Sequence, residues 1–482
     1  MAFSTQFGRV YSKFHHPCVF PCLRGILQPL IRALCMGIKG ILPKLEKITY
    51  PVDLESCRGQ KMGVDASAWL YKGAYGCASD LANNVDTSAY VDYFMSKVNL
   101  FLFFSIELMV VFDGKSHMLK EETQKSRRKY RELQLQKGKD LQAKGHPKEA
   151  WQCFTSSITI TSTMTRKVQA ALRSRNVPFI VAPYEADAQL AYLALTGEVD
   201  AVVSEDSDFL AYGCPRMLYK LSDNGTASAQ EICLSRLADI SPNESIHFSQ
   251  WSHDLFMDYC ILCGCDYLKN IPGIGPSKLN ELANRYRNGE RLLTSALDKC
   301  QDSAFDKDAF RATFEKAQLV FRHARVYDSK SKMLVYLREP PSPAVEQAVI
   351  ALFPDIPEDA LQEIAEGRMD PVQMISNDHL PPVSNRREER TIPSPSSAQD
   401  IRSYFVPRKT KDAQENEKNR KRDRPVAVFD DSMKASFEPS PTTQVVSSSG
   451  TKRTRLSFSP TVPAGLTKSV HRMLDGFKMN SR

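Results

Sequence analysis

Long hydrophobic runs are missing from this chain of 482 residues. No stretch reaches the roughly 18 consecutive apolar residues that a membrane-spanning helix needs, so we expect no membrane span. Charged residues make up 25% of the sequence, which predicts a soluble chain long enough for one large domain and further segments. The formal net charge of +8 favours an anionic partner.

Regularly spaced cysteine pairs are also missing. The 12 cysteines are scattered along the chain, which favours a reduced, intracellular protein over a disulfide framework. The closest approach to a metal-binding spacing is CILCGC, which contains Cys260, Cys263 and Cys265. Because three thiols in an apolar stretch are too few for a usual zinc site, we interpret them as core cysteines.

The two ends of the chain are each poor in one class of residue, acidic residues at the start and apolar residues at the end. Residues 1–35 contain basic residues but no acid, and the first carboxylate is Glu46. Such a basic leader is either a mitochondrial transit peptide or an over-extended gene model, and its several prolines, adjacent histidines and few serines favour the second. Beyond about Ser376 apolar residues become scarce among proline, serine and mixed charges, so we expect a disordered tail over 376–482.

Between these parts, short apolar runs rich in β-branched residues alternate with helical sequence. The runs are KMGVD (61–65), ELMVVFD (107–113), VPFIVA (177–182) and VDAVVSED (199–206). This order predicts an α/β fold in which a mostly parallel, twisted sheet is flanked by helices on both faces.

Carboxylates follow these runs. Three of the four runs end in aspartate, and a Glu-Ala-Asp sequence opens the helix after the remaining one. Because ligands of open α/β sheets bind beyond the carboxyl ends of the strands, we expect these acids to meet at one rim. With two later aspartates the predicted set is Asp65, Asp113, Glu185, Asp187, Asp206, Asp208 and Asp266.

The motifs of these acids contain no obvious basic partner, and an uncompensated buried cluster would be strongly destabilising. Two Mg²⁺ ions, for which Mn²⁺ can substitute, would neutralise most of the charge, because Mg²⁺ prefers oxygen ligands. Two ions about 4 Å apart can clamp the attacking and leaving oxygens of a phosphodiester. Any one of these acids alone could be a helix cap or a loop acid. Four strand ends with the same chemistry favour the metal site.

Seven motifs occur in the order found in a known family. They are MGIKGILPKL (36–45), GVDASAWLYKGA (63–74), VVFDG (110–114), APYEADAQLAYL (182–193), SEDSD (204–208), GCDY (264–267) and IPGIG (271–275). This set, which runs from Met36 to about residue 340, resembles the flap/5′ nuclease superfamily of structure-specific, metal-dependent DNases. WLYKGA, CFTSSITIT (153–161) and PYEADAQ are similar to its exonuclease branch in particular.

The resemblance implies a PIN-like 5′ nuclease fold with a helical arch and a helix–hairpin–helix-type C-terminal part. It also implies a 5′→3′ exonuclease on duplex DNA, with flap endonuclease activity, that acts in DNA repair in the nucleus. A flap- or bubble-specific endonuclease and a catalytically silent DNA-binding scaffold remain alternatives. The regions that we predict are a leader (1–35), an N-terminal nuclease region (36–134), an internal nuclease region with the arch (135–255), a helical DNA-binding region (256–353) and the tail (376–482).

The resemblance also implies roles for single residues. The acids nearer the first metal would be Asp65, Asp113, Glu185 and Asp187, and those nearer the second Asp206, Asp208 and Asp266. Lys120 and Arg127, in the basic segment 120–139, are seven residues apart and share a face of a helix. In the family such residues act on the scissile phosphate from the arch, whereas the alternative is an ordinary solvated helix. We find no histidine placed to act as a general base.

Further residues match DNA contacts of the family. Gly273, Gly275 and Lys278, in IPGIGPSK, would hold duplex phosphates, and a plain turn is the alternative. This element also binds K⁺ in the family, but Cys263 stands where a serine ligand is usual.

The first helix and the start of the similarity carry the remaining predicted contacts, Tyr71, Lys72 and Gly37. Tyr71 stands where a histidine usually wedges at the junction of single and double strand, and it keeps a flat face for stacking. We interpret Trp69 as a core residue. Gly37 matches the glycine after the start methionine, which lies close to the active site in this family, so we expect the functional chain to begin at or near Met36 or Gly37.

The tail contains a candidate docking peptide. In QDIRSYFVP (399–407), Ile401, Tyr404 and Phe405 have the spacing of a helical turn that fills a hydrophobic pocket. The pattern resembles sliding-clamp-binding peptides and the aromatic boxes that bind MutL-type mismatch-repair proteins, although Ala398 stands where the clamp pattern has glutamine. A stray aromatic pair is the alternative. Basic clusters at 418–424 and 451–455 suit nuclear import, or else form a charged linker.

Overall fold

The computed structural model describes residues 37–222 and 227–377. The predicted leader, the basic clusters and the docking peptide with Ile401, Tyr404 and Phe405 lie outside these residues. Within the two ranges, no helix combines the length and apolar character that crossing a membrane requires.

A seven-stranded sheet forms the centre of the fold. Its strands are β1 (Thr49–Asp53), β2 (Lys61–Asp65), β3 (Glu107–Phe112), β4 (Phe179–Val181), β5 (Ala201–Val203), β6 (Arg216–Tyr219) and β7 (Ser228–Cys233), in the spatial order β1-β7-β6-β5-β2-β3-β4. The block from β6 to β4 is parallel throughout, whereas β7 is antiparallel to both of its neighbours. The prediction of a mostly parallel sheet is therefore confirmed. The four predicted strands are the adjacent strands β5, β2, β3 and β4.

Helices follow the strands as the alternating sequence predicts. They are α1 (Ala66–Gly76), α2 (Ala78–Ala82), α3 (Ala89–Phe103), α4 (Glu121–Ala143), α5 (Pro147–Ser157), α6 (Ser162–Ser174), α7 (Ala186–Leu195), α8 (Asp208–Tyr212), α9 (His253–Cys263), α10 (Pro276–Tyr286), α11 (Gly289–Asp298), α12 (Lys307–His323), α13 (Pro343–Ile350) and α14 (Glu358–Ala365). A separate antiparallel pair consists of β8 (Arg325–Asp328) and β9 (Met333–Tyr336).

The sheet separates two hydrophobic cores, because successive strand residues point to opposite faces. Val202 belongs to the core that contains α7, α8 and α9, whereas its neighbour Val203 belongs to the core of α1, α3 and α6. Trp69 is 4% exposed and packs edge-to-face on Phe94 in the second core, which confirms it as a core residue. The expected helices on both faces are therefore present.

Helices α4 and α5 form the predicted arch, a hairpin whose two helices pack along each other. Gly138 of α4 allows this approach, since a Cβ atom there would lie 2.6 Å from the ring of Phe154. The predicted boundary between residues 134 and 135 lies inside α4, and the boundary at 255 lies inside α9. The folded region also extends beyond Phe353, because α14 buries Ile364 in the second core.

Candidate active site

Two serines bind the acids at the ends of β2 and β3. Asp65 ends β2 and caps α1, where its Oδ1 accepts a hydrogen bond from the Ser67 amide at 2.8 Å. Its Oδ2 accepts one from the Ser204 hydroxyl at 3.0 Å. The Ser67 hydroxyl donates to Asp113 at 2.6 Å, and the other oxygen of Asp113 accepts from the Ala186 amide at 3.0 Å. The ends of the adjacent strands thus meet as the sequence predicts.

The turn after β5 carries the next two acids. Asp206 accepts a hydrogen bond from the Asp208 amide at 2.8 Å, and its own amide donates to the Ser204 hydroxyl at 3.1 Å. Gly37 lies directly against this turn, because a Cβ atom there would be 2.4 Å from Oδ1 of Asp206. Gly37 also has a φ of +87°, which disfavours other residues. The structure therefore places the predicted glycine beside the acid cluster.

The arch supplies the basic partners that the acid motifs lack. Nζ of Lys120 lies 2.9 Å from Oε1 of Glu185 and 3.4 Å from Oδ2 of Asp266. Arg127 donates two hydrogen bonds to the carboxylate of Asp266, at 2.6 and 3.0 Å. Lys120 lies at the N-cap of α4 rather than within the helix, yet both cations reach the same acid. The basic partners of the cluster therefore come from outside the motifs of the acids.

Two site residues were missed from the sequence. His117 is one of them, because Nε2 of this buried histidine lies 3.4 Å from Oε1 of Glu185. That no histidine acts as a general base stays a prediction. Tyr267, which belongs to the GCDY motif, donates to Oε2 of Glu185 at 2.6 Å, and its hydroxyl lies 2.8 Å from that of Tyr212. GCDY offered a signal for Tyr267, whereas no motif marked His117.

Burial and mutual repulsion oppose ionisation of most of the cluster. Burial, with the charge of Asp113, raises the pKa of Asp65 to about 7. Burial also raises the pKa of Asp206 to about 6, although the Asp208 amide opposes the shift. The pKa values of Asp187 and Asp208 are raised well above the ordinary range by burial and by the charge of Asp206. The cluster is therefore costly to ionise without added positive charge.

Glu185 behaves in the opposite way. Its burial would raise its pKa, but the attraction of Lys120 and then of His117 outweighs burial and holds the pKa below its usual range. Burial would lower the pKa of Lys120, but the charges of Glu185 and Asp266 outweigh burial and raise that pKa well above its usual value. Glu185 and Lys120 are therefore an ion pair across the physiological pH range.

The chemistry of these donors fits hard divalent cations. All seven acids offer only carboxylate oxygens, the ligands that Mg²⁺ prefers. The buried Oδ1 of Asp208 has no hydrogen-bond partner among the described residues. Within 37–222 and 227–377, no three acidic, histidine or cysteine side chains surround one point as a preformed metal site. Hydroxyl groups and the arch cations engage several acid oxygens instead, so bound ions would have to exchange with these contacts.

The site opens into a cleft of about 470 Å³. Six of the seven predicted acids line it, whereas Asp208 is 2% exposed and lies behind the wall. Positive charge borders the cleft, in the side chains of Lys115, Lys120, Arg127, Arg128, Arg131 and Arg166. A negatively charged chain can therefore approach the acids along a basic wall.

The predicted DNA contacts on α1 lie near this cleft. Tyr71 lines it and accepts a hydrogen bond from Arg131 at 2.9 Å, with the guanidinium 5.7 Å from the ring centre. Lys72 pairs with Glu205 at 2.8 Å. Glu205, although it is adjacent to Asp206, therefore belongs to a separate ion pair.

The predicted helix–hairpin–helix-type turn precedes α10. Gly273 has a φ of +75°, and no atom lies within 4 Å of a Cβ placed at Gly273 or Gly275, so the backbone here is open to a ligand. Lys278 pairs with Glu281 on the surface of α10, at 2.7 Å. Burial raises the pKa of Cys263 to about 12, so its side chain offers a neutral thiol.

Two family models match the chain: the XPG N-terminal domain over residues 36–134 and the XPG I-region over residues 176–266. Exonuclease 1 from Arabidopsis thaliana is 32% identical over 340 residues, which cover 70% of this chain and 45% of the relative. Exonuclease 1 from Xenopus laevis is 35% identical over 344 residues, which cover 70% of this chain and 45% of that relative. DNA damage-inducible protein DIN7 from Saccharomyces cerevisiae is 31% identical over 306 residues, which cover 64% of this chain and 70% of that protein.

The chain spans less than half the length of the two exonuclease 1 relatives. The matched regions contain all seven acids and both arch cations. Both family models match this chain, and the similarity to DIN7 covers 70% of that protein at 31% identity. This chain therefore belongs to the exonuclease 1 family of the XPG-type, flap/5′ nuclease superfamily.

Proposed function

We propose that this protein is a Mg²⁺-dependent 5′→3′ exonuclease on double-stranded DNA with 5′-flap endonuclease activity. The observation that carries the proposal is the cleft in which six carboxylates face Lys120 and Arg127 of the arch. Its substrates would be DNA with 5′ ends, nicks, gaps or flaps. Its pathways would be repair, including mismatch excision and end resection, and recombination.

The acids would hold two divalent cations, which would stabilise the attacking and leaving oxygens of the phosphodiester. Asp65, Asp113, Glu185 and Asp187 would contact the first ion, and Asp206, Asp208 and Asp266 the second. Lys120 and Arg127 would exchange their carboxylate partners Glu185 and Asp266 for the scissile phosphate. There they would stabilise the charge that develops on its oxygens.

Other residues would position the DNA. The ring of Tyr71, at the edge of the cleft, would stack on a base at the junction of single and double strand. The open backbone at Gly273 and Gly275 would hold duplex phosphates, with K⁺ as a further ligand of this turn. Cys263 is a poor K⁺ ligand because its thiol is neutral and K⁺ prefers oxygen.

The tail would connect the enzyme to its partners. Ile401, Tyr404 and Phe405 would dock on a sliding clamp or on a MutL-type mismatch-repair protein, and the basic clusters would direct the protein to the nucleus. A catalytically silent scaffold is disfavoured, because none of the seven acids and neither arch cation is missing.

The test is digestion of a 5′-recessed duplex and a 5′-flap substrate side by side, with the products sized. Release of short products from the recessed end, dependent on Mg²⁺ and abolished by a chelator, supports the exonuclease. Cleavage of the flap or of a bubble with no attack on the recessed end would instead establish a structure-specific endonuclease. Binding without cleavage of either substrate would refute the proposal.

A further inference from the structure

His117 lies beside the acid cluster but outside the cleft. It precedes the short 3-10 turn Met118–Lys120 that leads into the arch, and it is 2% exposed. Its Nε2 faces Oε1 of Glu185 at 3.4 Å, longer than an ordinary hydrogen bond. Neither ring nitrogen has a hydrogen-bond partner elsewhere in the described residues. A buried imidazole without a partner is costly, so its approach to Glu185 requires an explanation.

The ring of His117 is held by aromatic neighbours. Its centroid lies 4.9 Å from that of Tyr267 and 5.4 Å from that of Phe353. Tyr267 itself donates to the second oxygen of Glu185, at 2.6 Å. Phe353 also packs on Tyr184, the residue before Glu185, at 4.8 Å. The packing around His117 therefore fixes its direction toward Glu185.

A short segment after α13, residues 352–355, connects these parts, and we call it the clamp. Its carbonyl groups accept hydrogen bonds from the Met118 amide at 3.2 Å, the Tyr184 hydroxyl at 2.6 Å and Nζ of Lys115 at 3.2 Å. The clamp thus ties the base of the arch to the turn that carries Glu185. It lies outside both matched family regions.

We propose that His117 is a positioning residue for Glu185 and that the clamp holds it in place. Lys120 and His117 approach the same oxygen of Glu185. If Lys120 leaves for the scissile phosphate, Tyr267 still donates to one oxygen of Glu185 and His117 still lies beside the other, so Glu185 would keep the orientation in which it holds a cation. The proposal rests on the proposed function, because it assigns Glu185 to a metal. Residues that orient a metal ligand typically affect metal affinity or activity by about 10- to 100-fold.

The test compares His117→Leu, which keeps the bulk but removes the nitrogen donors, with His117→Gln, whose amide can still donate to Glu185. His323→Gln is the matched control, because His323 is a buried histidine whose Nδ1 lies 2.8 Å from a carbonyl oxygen of the β9–α13 connection. The readouts are the single-turnover cleavage rate, the Kd for DNA and Mn²⁺ affinity by electron paramagnetic resonance. For His117→Leu we expect a fall in rate and in Mn²⁺ affinity of about tenfold or more, with an unchanged Kd for DNA. His117→Gln should recover most of both, and His323→Gln should match the wild type.

Tyr184→Phe tests the clamp without removing a large side chain, since it deletes only the hydroxyl that donates to Pro354. Tyr336→Phe, which removes a hydroxyl bonded to Glu346 away from the cleft, is its control. Tyr184→Phe should lower rate and Mn²⁺ affinity in the same direction as His117→Leu, whereas Tyr336→Phe should change neither. The comparison of Tyr184→Phe with Tyr336→Phe tests the positioning role even if His117→Leu does not fold. Wild-type rate and Mn²⁺ affinity in folded His117→Leu or in Tyr184→Phe would overturn the positioning role. A wild-type protein that cleaves no substrate would refute the proposed function instead.

Discussion

Arg127 and Asp266 are joined by two parallel hydrogen bonds, of 2.6 and 3.0 Å, between the arch and the motif that follows α9. A bidentate guanidinium–carboxylate pair is among the strongest polar contacts in proteins, and phosphate offers a guanidinium the same geometry. Asp266 therefore makes with Arg127 the same two-point contact that a phosphate group could make. The pair links the acid cluster to the helix that would act on substrate.

Arg127→Ala should lower the single-turnover rate at saturating enzyme by about a hundredfold, because a donor to the developing phosphoryl charge is lost. Arg128→Ala is the control, since Arg128 borders the same cleft but has no described contact with the acids. If Arg127 only contacted phosphate, its loss would weaken DNA binding and would change the slope of log K against log salt concentration by about one unit. An Arg127→Ala rate equal to that of wild type would therefore exclude the catalytic role.

Asp206→Ala and Asp113→Ala should each abolish Mg²⁺-dependent cleavage while duplex binding stays within a small factor. Each change removes a carboxylate ligand of the two proposed divalent cations and leaves the basic side chains along the cleft unchanged. Circular dichroism separates this outcome from a structural role for Asp206, which would appear as loss of folding. Substantial residual turnover in a folded variant would count against the two-metal site.

In the presence of a chelator, the melting temperature should fall as pH rises from about 5 to 8. The pKa of Asp65 is about 7 and that of Asp206 is about 6 in the folded chain. In the unfolded chain both pKa values are about 4. The folded state therefore binds more protons between these values, and its stability is lost as pH rises through the folded pKa values. Asp65→Asn should flatten the curve, and saturating Mn²⁺ should restore stability at pH 8. A melting temperature that rises over this range would contradict the shifts.

Gly37→Ala should impair cleavage, because the added methyl group would meet Oδ1 of Asp206 and the positive φ would be strained. Gly40→Ala is a matched control, as Gly40 also has a positive φ but no atom within 4 Å of its missing Cβ. Wild-type cleavage by a folded Gly37→Ala variant would contradict this role.

Tyr404→Ala combined with Phe405→Ala should leave the nuclease rate on naked DNA unchanged and weaken binding to the sliding clamp or the MutL-type partner. The aromatic side chains would be the part of the peptide that is buried in the partner. Titration of a peptide spanning 394–410 checks the contact directly. Failure to bind either protein would show that the motif has no docking role.

Local patterns in the sequence predict much of the fold. The run KMGVD coincides with β2, because a strand buried on both faces must be apolar along its length. The same reasoning places the acids at strand ends. The pairing of Lys120 with Glu185 and Asp266 was not predictable in this way, because it depends on how the arch packs over the sheet. His117 and the clamp were missed for the same reason, since their contacts join segments that are distant in the chain.

The contact at Gly138 has a mechanical consequence for the arch. Because the missing side chain lets α4 and α5 touch at Phe154, and Phe154 is buried in the second core, the contact anchors α4 to the body of the fold. Helix α4 carries Arg127, with Lys120 at its N-cap. A displacement of α4 that admitted a strand would therefore pull Arg127 away from Asp266.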